Sequence, residues 1–213
     1  MDDQPLLPVD PTSLAAWADE LRAMAAIGLL YSPDHFDRER YARLQTIAAE
    51  MLSVATGHPA EAVEAALTQD VGYVTVKVGV AAAIFNPSGR ILLLRRRDSG
   101  LWAMPGGWAD VGTDTPAAMA AREVREETRL EVRVDRLLGL YDSRFRRFRH
   151  PHHLYHIVFL CTPIGGVPEV TDESLAIDYF TRADLPPLAS SHVDAVDDAF
   201  RHWADPTLPA VFD

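Results

Sequence analysis

The chain has little with which to cross-link itself, enter a membrane or repeat. Of its 213 residues only Cys161 is a cysteine. No internal disulfide can therefore form, and its place in the apolar run 157–161 predicts a buried thiol rather than a nucleophile. No apolar stretch approaches the roughly 18 residues that a spanning helix needs, so a membrane span is not expected. The opening residues Met1, Asp2, Asp3, Gln4 and Pro5 lack the basic region and apolar core of an export signal, which makes the cytoplasm the expected location. No repeat with a period of about 20–50 residues and no low-complexity linker interrupts the chain. Positive charge is scarce as well, with 20 Lys and Arg against 31 Asp and Glu, a net charge of −11. Such a surface repels nucleic acid and predicts no sequence-specific DNA binding, while small anionic substrates stay accessible through local positive charge and a metal. Hydrophobic residues at 48% and charged ones at 24% are ordinary for a soluble globular protein.

The length exceeds one compact α/β domain and predicts a small module ahead of it. Asp10 and Pro11 open a helical pattern in which Leu14, Trp17, Ala18, Leu21, Met24 and Ala25 recur at spacings of three and four, with Gly28 as its expected stop. A second stripe from Phe36 to Ala55 ends at Gly57, and a third short helix is expected over 59–69. The apolar surface of these helices looks too large for so few residues to bury, which implies a partner surface. A boundary is expected at 69–72, dividing the chain into a helical domain, 1–70, and a larger domain, 71–213.

From Tyr73 the pattern becomes that of strands. Val74, Val76, Val78 and Val80 alternate before 81–85, and Asn86, Pro87, Ser88 and Gly89 form a hairpin turn into 91–94. A helix is expected over 116–128 with Thr115 as cap, strands over 132–141, 155–162 and 176–180, and a last helix over 192–203. Strands, then a helix, then strands predict an α/β (α+β) sandwich with a mixed sheet.

The expected helix carries Arg122, Glu123, Val124, Arg125, Glu126 and Glu127. At 100° per residue the three Glu side chains fall within roughly 100° of arc. Two carboxylates about 4 Å apart at an effective dielectric near 20 repel by about 4 kcal/mol, so a converged set calls for a cation or a proton. Oxygen donors of this kind favour Mg²⁺ or Mn²⁺. The opposing reading is a solvated face with Arg122–Glu126 pairs, yet Arg before Glu is the poorer orientation, and these acids crowd the helix's negative end.

The stretch 106–130, with Gly106, Gly107, the Arg122–Glu127 block and Leu130, resembles the Nudix box. Leu101, Trp102, Ala103, Met104 and Pro105 look like that family's entry strand and turn. The copy departs from the pattern twice. Thr113 stands where the first Glu belongs, with a one-residue-longer gap to Arg122 that would let Asp114 substitute, and Arg129 replaces the Gly before the closing apolar residue. Residues 28–41, with Gly28, Leu29, Leu30, Tyr31, Ser32, Phe36 and Tyr41, are similar to the helical module preceding the Nudix domain in enzymes like CDP-choline pyrophosphatase. The resemblance implies a Nudix α/β/α sandwich, a homodimer formed through the N-terminal helices, and Mg²⁺ or Mn²⁺ on Glu123, Glu126, Glu127 and the Gly106 carbonyl. It also implies catalytic roles for Glu126 and Arg122, and for Glu173, which falls where several members keep a late carboxylate as base.

Arg144, Arg146, Arg147 and Arg149 cluster with His150, His152, His153 and His156, a composition also similar to the segment following that helix in the subfamily. Guanidinium forks suit phosphate, and Arg144 and Arg146 are candidate substrate ligands. Four His in one loop-to-strand segment without a Cys partner argue against zinc. Of Arg95, Arg96 and Arg97, alternate members face opposite sides, and Arg95 is the substrate candidate. Trp108, Trp102 and Tyr141 have rings able to stack on a nucleobase, against core or rim packing as the favoured reading of each, and Trp108 is the substrate candidate among them. The expected activity is metal-assisted hydrolysis of the pyrophosphate in a nucleoside diphosphate linked to another group, of the ADP-ribose or CDP-choline type. The alternatives are a pyrophosphohydrolase acting on the 5′ end of RNA and a sensor that binds ADP-ribose without cutting it.

Overall fold

A computed structural model of the protein describes residues 10–68, 74–109, 114–146, 150 and 152–213. Thr113, Arg147, Arg149, Pro151 and the expected boundary at 69–72 lie outside the described residues. The chain divides into two compact units, Met1–Val76 with Arg149–His153, and Lys77–Phe148 with Leu154–Asp213. Among the described residues no helix is long and apolar enough to cross a membrane.

The first unit contains α1 (Pro11–Tyr31), α2 (His35–Thr56) and α3 (Ala60–Leu67). Asp10 caps α1 by accepting the Thr12 and Ser13 N–H groups at 2.8 and 3.0 Å, and Pro11 follows where its missing N–H costs nothing. The helix runs through Gly28 instead of stopping there. That glycine serves close approach, since a Cβ on it would lie 2.5 Å from the Tyr41 ring of α2. Gly57, at φ 78°, does end α2 as a left-handed cap. The core between the helices is mainly small, with Ala15, Ala18, Ala48, Ala49 and Ala55 around Leu52, Val63 and Leu67. Small residues at the seam let the helices approach, and the bulky Trp17 and Met24, expected to face inward, point outward with Ile27, Leu30, Tyr31 and Phe36.

The second unit is built on β1 (Lys77–Ile84), β2 (Ile91–Arg96), β3 (Trp102–Ala103), β4 (Gly106–Trp108), β5 (Glu131–Asp142), β6 (Leu154–Gly165), β7 (Ser174–Phe180) and β8 (Val211–Phe212), with α4 (Pro116–Thr128) and α5 (Val193–Ala204). A mixed sheet has the order β4-β1-β6-β5-β8, and a smaller antiparallel sheet has the order β3-β2-β7. This is the α/β sandwich expected. The interior strand β1, between β4 and β6, is covered on both sides, which explains its apolar run. Ala81, Ala83 and Phe85 join a core with Val196, Ala199 and Phe200 of α5, whereas Ala82 and Ile84 join one with Val124 of α4.

The Asn86–Gly89 turn forms with Gly89 at φ 73° and the Asn86 side chain accepting the Ser88 and Arg90 N–H groups. The strands it joins nevertheless part into different sheets beyond one Phe85–Ile91 bridge. Cys161 is buried in the α4-side core, and burial pushes its thiol up to about 12.

Candidate active site

Helix α4 starts where Thr115 accepts the Ala118 N–H and stops where Arg129 turns left-handed at φ 62°. Ala120, Val124 and Glu127 form one inward line, so burial of the apolar pair carries the Glu127 side chain inside, leaving it 6% exposed. Its Oε2 accepts the Gly106 N–H at 2.7 Å. The strand beneath is stripped to backbone. A Cβ on Gly106 would meet the Val80 carbonyl oxygen at 2.2 Å, and one on Gly107 would lie 2.7 Å from Glu123 Oε2. Gly106 and Gly107 thus form a bare cradle against which the Glu127 and Glu123 carboxylates rest.

Burial pushes the Glu127 carboxyl up to about 7. The Glu123 and Glu173 charges add to that rise, against the Gly106 N–H and the Arg96 charge. The site therefore holds more negative charge than its surroundings compensate, the condition under which a divalent cation or a proton is favoured.

The three Glu residues do not converge on one point, contrary to expectation. Glu126 turns to the surface, half exposed, 3.5 Å from Arg122 Nη1, and the same guanidinium stands 3.7 Å from both Glu123 and Asp114. Among the described residues no three His, Cys, Asp or Glu side chains form a ready cage. The cause is local charge balance: Glu127 has taken a backbone donor, and Arg122 draws the outer acids towards itself. Arg122 is thus an ion-pair hub, and Asp114 faces Arg122.

The arginine run at 95–97 divides differently from the expectation. Arg95 donates to the Gly100 carbonyl at 2.9 Å and belongs to its own turn. A register shift in the β2–β7 pairing falls between Arg95 and Arg96. Arg96 grips Asp98 through Nε (3.1 Å) and Nη2 (2.7 Å), which holds the Asp98 carboxyl down at about 2, and its charge acts on Glu127 and Glu173. Arg96, rather than Arg95, is thus the member of the run whose charge reaches the Glu127 region, which simple alternation misses because a bulge breaks it.

Arg144 is buried, its backbone N–H on Asp142 Oδ1 at 2.8 Å. Arg146 is engaged by Asp213 at 2.6 Å and lies over the Tyr141 ring. Trp108, at the end of edge strand β4 beside the Gly pair, is 48% exposed. Tyr141 and Trp102 are packing residues, one buried with its hydroxyl 3.3 Å from Asp198 and the other edge-on against Phe180. His156 and His192 meet edge to face at 5.1 Å, and burial depresses both, His156 to about 4.

The family described as "NUDIX domain" matches residues 75–200, and "UDP-X-like, N-terminal oligomerisation domain" matches 12–67. The chain belongs to the Nudix family, with that N-terminal module ahead of the Nudix domain. A Bacillus subtilis (strain 168) protein, YjhB, whose name provisionally makes it an ADP-ribose pyrophosphatase, is 32% identical over 202 residues, covering 92% of this chain and 95% of that protein. An ADP-ribose pyrophosphatase from Methanocaldococcus jannaschii is 35% identical over 121 residues, 55% of this chain and 70% of its own. Among solved structures, a UDP-X diphosphatase aligns with a TM-score of 0.60 at 26% identity, over 96% of this chain and 100% of its own.

Proposed function

We propose that the protein hydrolyses the pyrophosphate of a nucleoside diphosphate linked to a second group, of the ADP-ribose, CDP-choline or UDP-linked kind. The observation that carries this reading is the buried, undercompensated Glu127 carboxylate on the Gly106–Gly107 cradle, flanked by Glu123 and Glu173. An all-oxygen donor set of excess negative charge fits Mg²⁺ or Mn²⁺, which Glu127 and Glu123 beside the Gly106–Gly107 cradle would hold with the Gly106 carbonyl, Glu126 joining them by swinging away from Arg122. When bound, such an ion neutralises pyrophosphate charge and increases the acidity of nearby water. Glu173 accepts the proton as water attacks phosphorus, and the bridging oxygen leaves with its electron pair on the other phosphate. Arg96 offsets the negative charge gathered around Glu127 and Glu173. Arg122 pairs with Glu126 and Glu123 and balances their charge until an ion draws them away, and the exposed face of Trp108 offers a stacking surface for a base.

The outward apolar side chains of α1 and α2, together with the oligomerisation module they belong to, support a homodimer, which light scattering tests directly. The activity is tested by incubating protein with Mg²⁺ or Mn²⁺ and ADP-ribose, CDP-choline, UDP-glucose or 5′-triphosphorylated RNA, and identifying the products. Two phosphate-bearing products from a nucleoside diphosphate derivative are expected. Binding without turnover across the panel makes the protein a sensor, and pyrophosphate release from RNA alone moves it to the other substrate class.

A further inference from the structure

The acid in the loop before β7 is held from two sides by groups with no other evident task. Arg97 lies just beyond β2 and spends three donors on three consecutive carbonyls. Its Nε reaches Asp172 O at 2.8 Å, its backbone N–H reaches Glu173 O at 3.2 Å, and its Nη2 reaches Ser174 O at 3.2 Å. On the other side the Thr171 hydroxyl donates to the Glu127 carbonyl at 3.3 Å and accepts the Glu173 N–H at 3.4 Å. The turn is closed by Thr171 N–H on Ser174 Oγ (3.1 Å) and Ser174 N–H on Thr171 O (3.3 Å), with Ser174 fully buried. Glu173 itself is exposed, and among the described residues no side-chain hydrogen bond ties down its carboxylate, so its position is inherited from this backbone.

A planar guanidinium suits such a task, because its donors are fixed relative to one another and together define the orientation of the peptide units they hold. The register shift between Arg95 and Arg96 sets Arg96 opposite Ser174, which brings the next residue, Arg97, alongside the loop.

We infer that Arg97, with Thr171 as the opposite anchor, is a positioning residue that fixes the Glu173 carboxylate relative to Glu127 for proton acceptance during hydrolysis. The inference rests on the proton-accepting role proposed for Glu173. Arg97 touches neither substrate nor ion in this scheme. Its side chain is exposed, so water replaces the lost donors when it is truncated, and the fold is retained.

The test is a double-mutant cycle with Arg97→Ala and Glu173→Gln, reading kcat and KM on ADP-ribose at saturating Mg²⁺, together with amide hydrogen exchange at 171–174 in metal-free protein. Loss of a general base costs about 10²–10⁴-fold in kcat, and a misplaced one about 10–10²-fold. Arg97→Ala is therefore expected to lower kcat by roughly 10–10²-fold with KM within about twofold. In the Glu173→Gln background it should cost nothing further, because the group being positioned is already gone. Arg97→Lys should recover part of the loss, and exchange at the Glu173 and Ser174 amides should rise at least about tenfold in Arg97→Ala alone. Thr171→Val, which removes the other anchor at nearly constant volume, should follow the same pattern. Wild-type kcat in Arg97→Ala, unchanged exchange, or losses that multiply in the double variant overturn the clamp while leaving Glu173 in its role. Wild-type turnover in Glu173→Gln removes that role, and the clamp with it.

Discussion

Replacing Glu127 by Gln separates the two consequences of burying this acid. The Gln Oε1 can still accept the Gly106 N–H, so the 2.7 Å bond survives while the charge is removed. In the metal-free protein the Glu127 carboxyl lies at about 7 against an ordinary 4.5. At about 1.4 kcal/mol per unit, the ionised side chain costs the fold on the order of 3 kcal/mol. The sign follows from which form the fold prefers. The folded-state affinity for the proton is raised, so the favourable contribution of the neutral acid is fully present below about 4.5 and is lost as the pH rises through about 7. Urea denaturation in the presence of chelator should therefore find Glu127→Gln similar to wild type near pH 4.5 and more stable by about 2–3 kcal/mol at pH 8.5. Added Mg²⁺ should stabilise wild type and leave the variant largely unmoved, and turnover should fall by at least about 10²-fold. Parallel stability–pH curves for the two proteins would refute the burial argument. Near-normal turnover would remove Glu127 from the site.

Three further outcomes are expected. Gly106→Ala places a methyl 2.2 Å from the Val80 carbonyl oxygen, a backbone atom that cannot yield, and should lower stability by at least about 2 kcal/mol; Gly107→Ala meets only the movable end of Glu123 and should keep its melting temperature within a few degrees while losing activity. Equal effects of the two on melting temperature and turnover would contradict the cradle geometry. Arg96→Ala removes a charge that opposes protonation of Glu127, so carboxyl ¹³C titration of metal-free protein should find Glu127 ionising above its wild-type midpoint of about 7, and an unmoved midpoint would sink the assignment. Arg129→Gly relieves a left-handed residue at φ 62° and should gain about 1 kcal/mol in chemical denaturation, where no gain would mean that the Arg side chain compensates through contacts of its own.

Features set by neighbours in the chain were legible from the residues. Asp10 with Pro11, Thr115 with Pro116, and the turn of Asn86 to Gly89 each encode a local hydrogen-bond pattern, and each formed. The inward line through Ala120, Val124 and Glu127 follows from helical spacing alone. What escaped depends on distant partners. Gly28 reads as a terminator until Tyr41 is seen filling the space beside it. The strands flanking the Asn86 turn read as a paired hairpin, although β1 finds β4 and β6 while β2 finds β3 and β7. Arg95 seemed the better candidate because alternation was counted through a position where the ladder shifts. Arg146 looked available for phosphate until Asp213, 67 residues on, was found against it. The two-residue strand β8 carries too little pattern to be recognised without β5 beside it.

Because the one cysteine is sealed beneath α4 and its thiol ionises only at about 12, the folded surface offers thiol reagents nothing to react with. A cysteine introduced at any exposed position thus becomes a single attachment point for a fluorophore or spin label in an otherwise unaltered chain. Uptake of label by the native sequence itself, monitored over time, would serve as a direct clock for opening of the helix–sheet core.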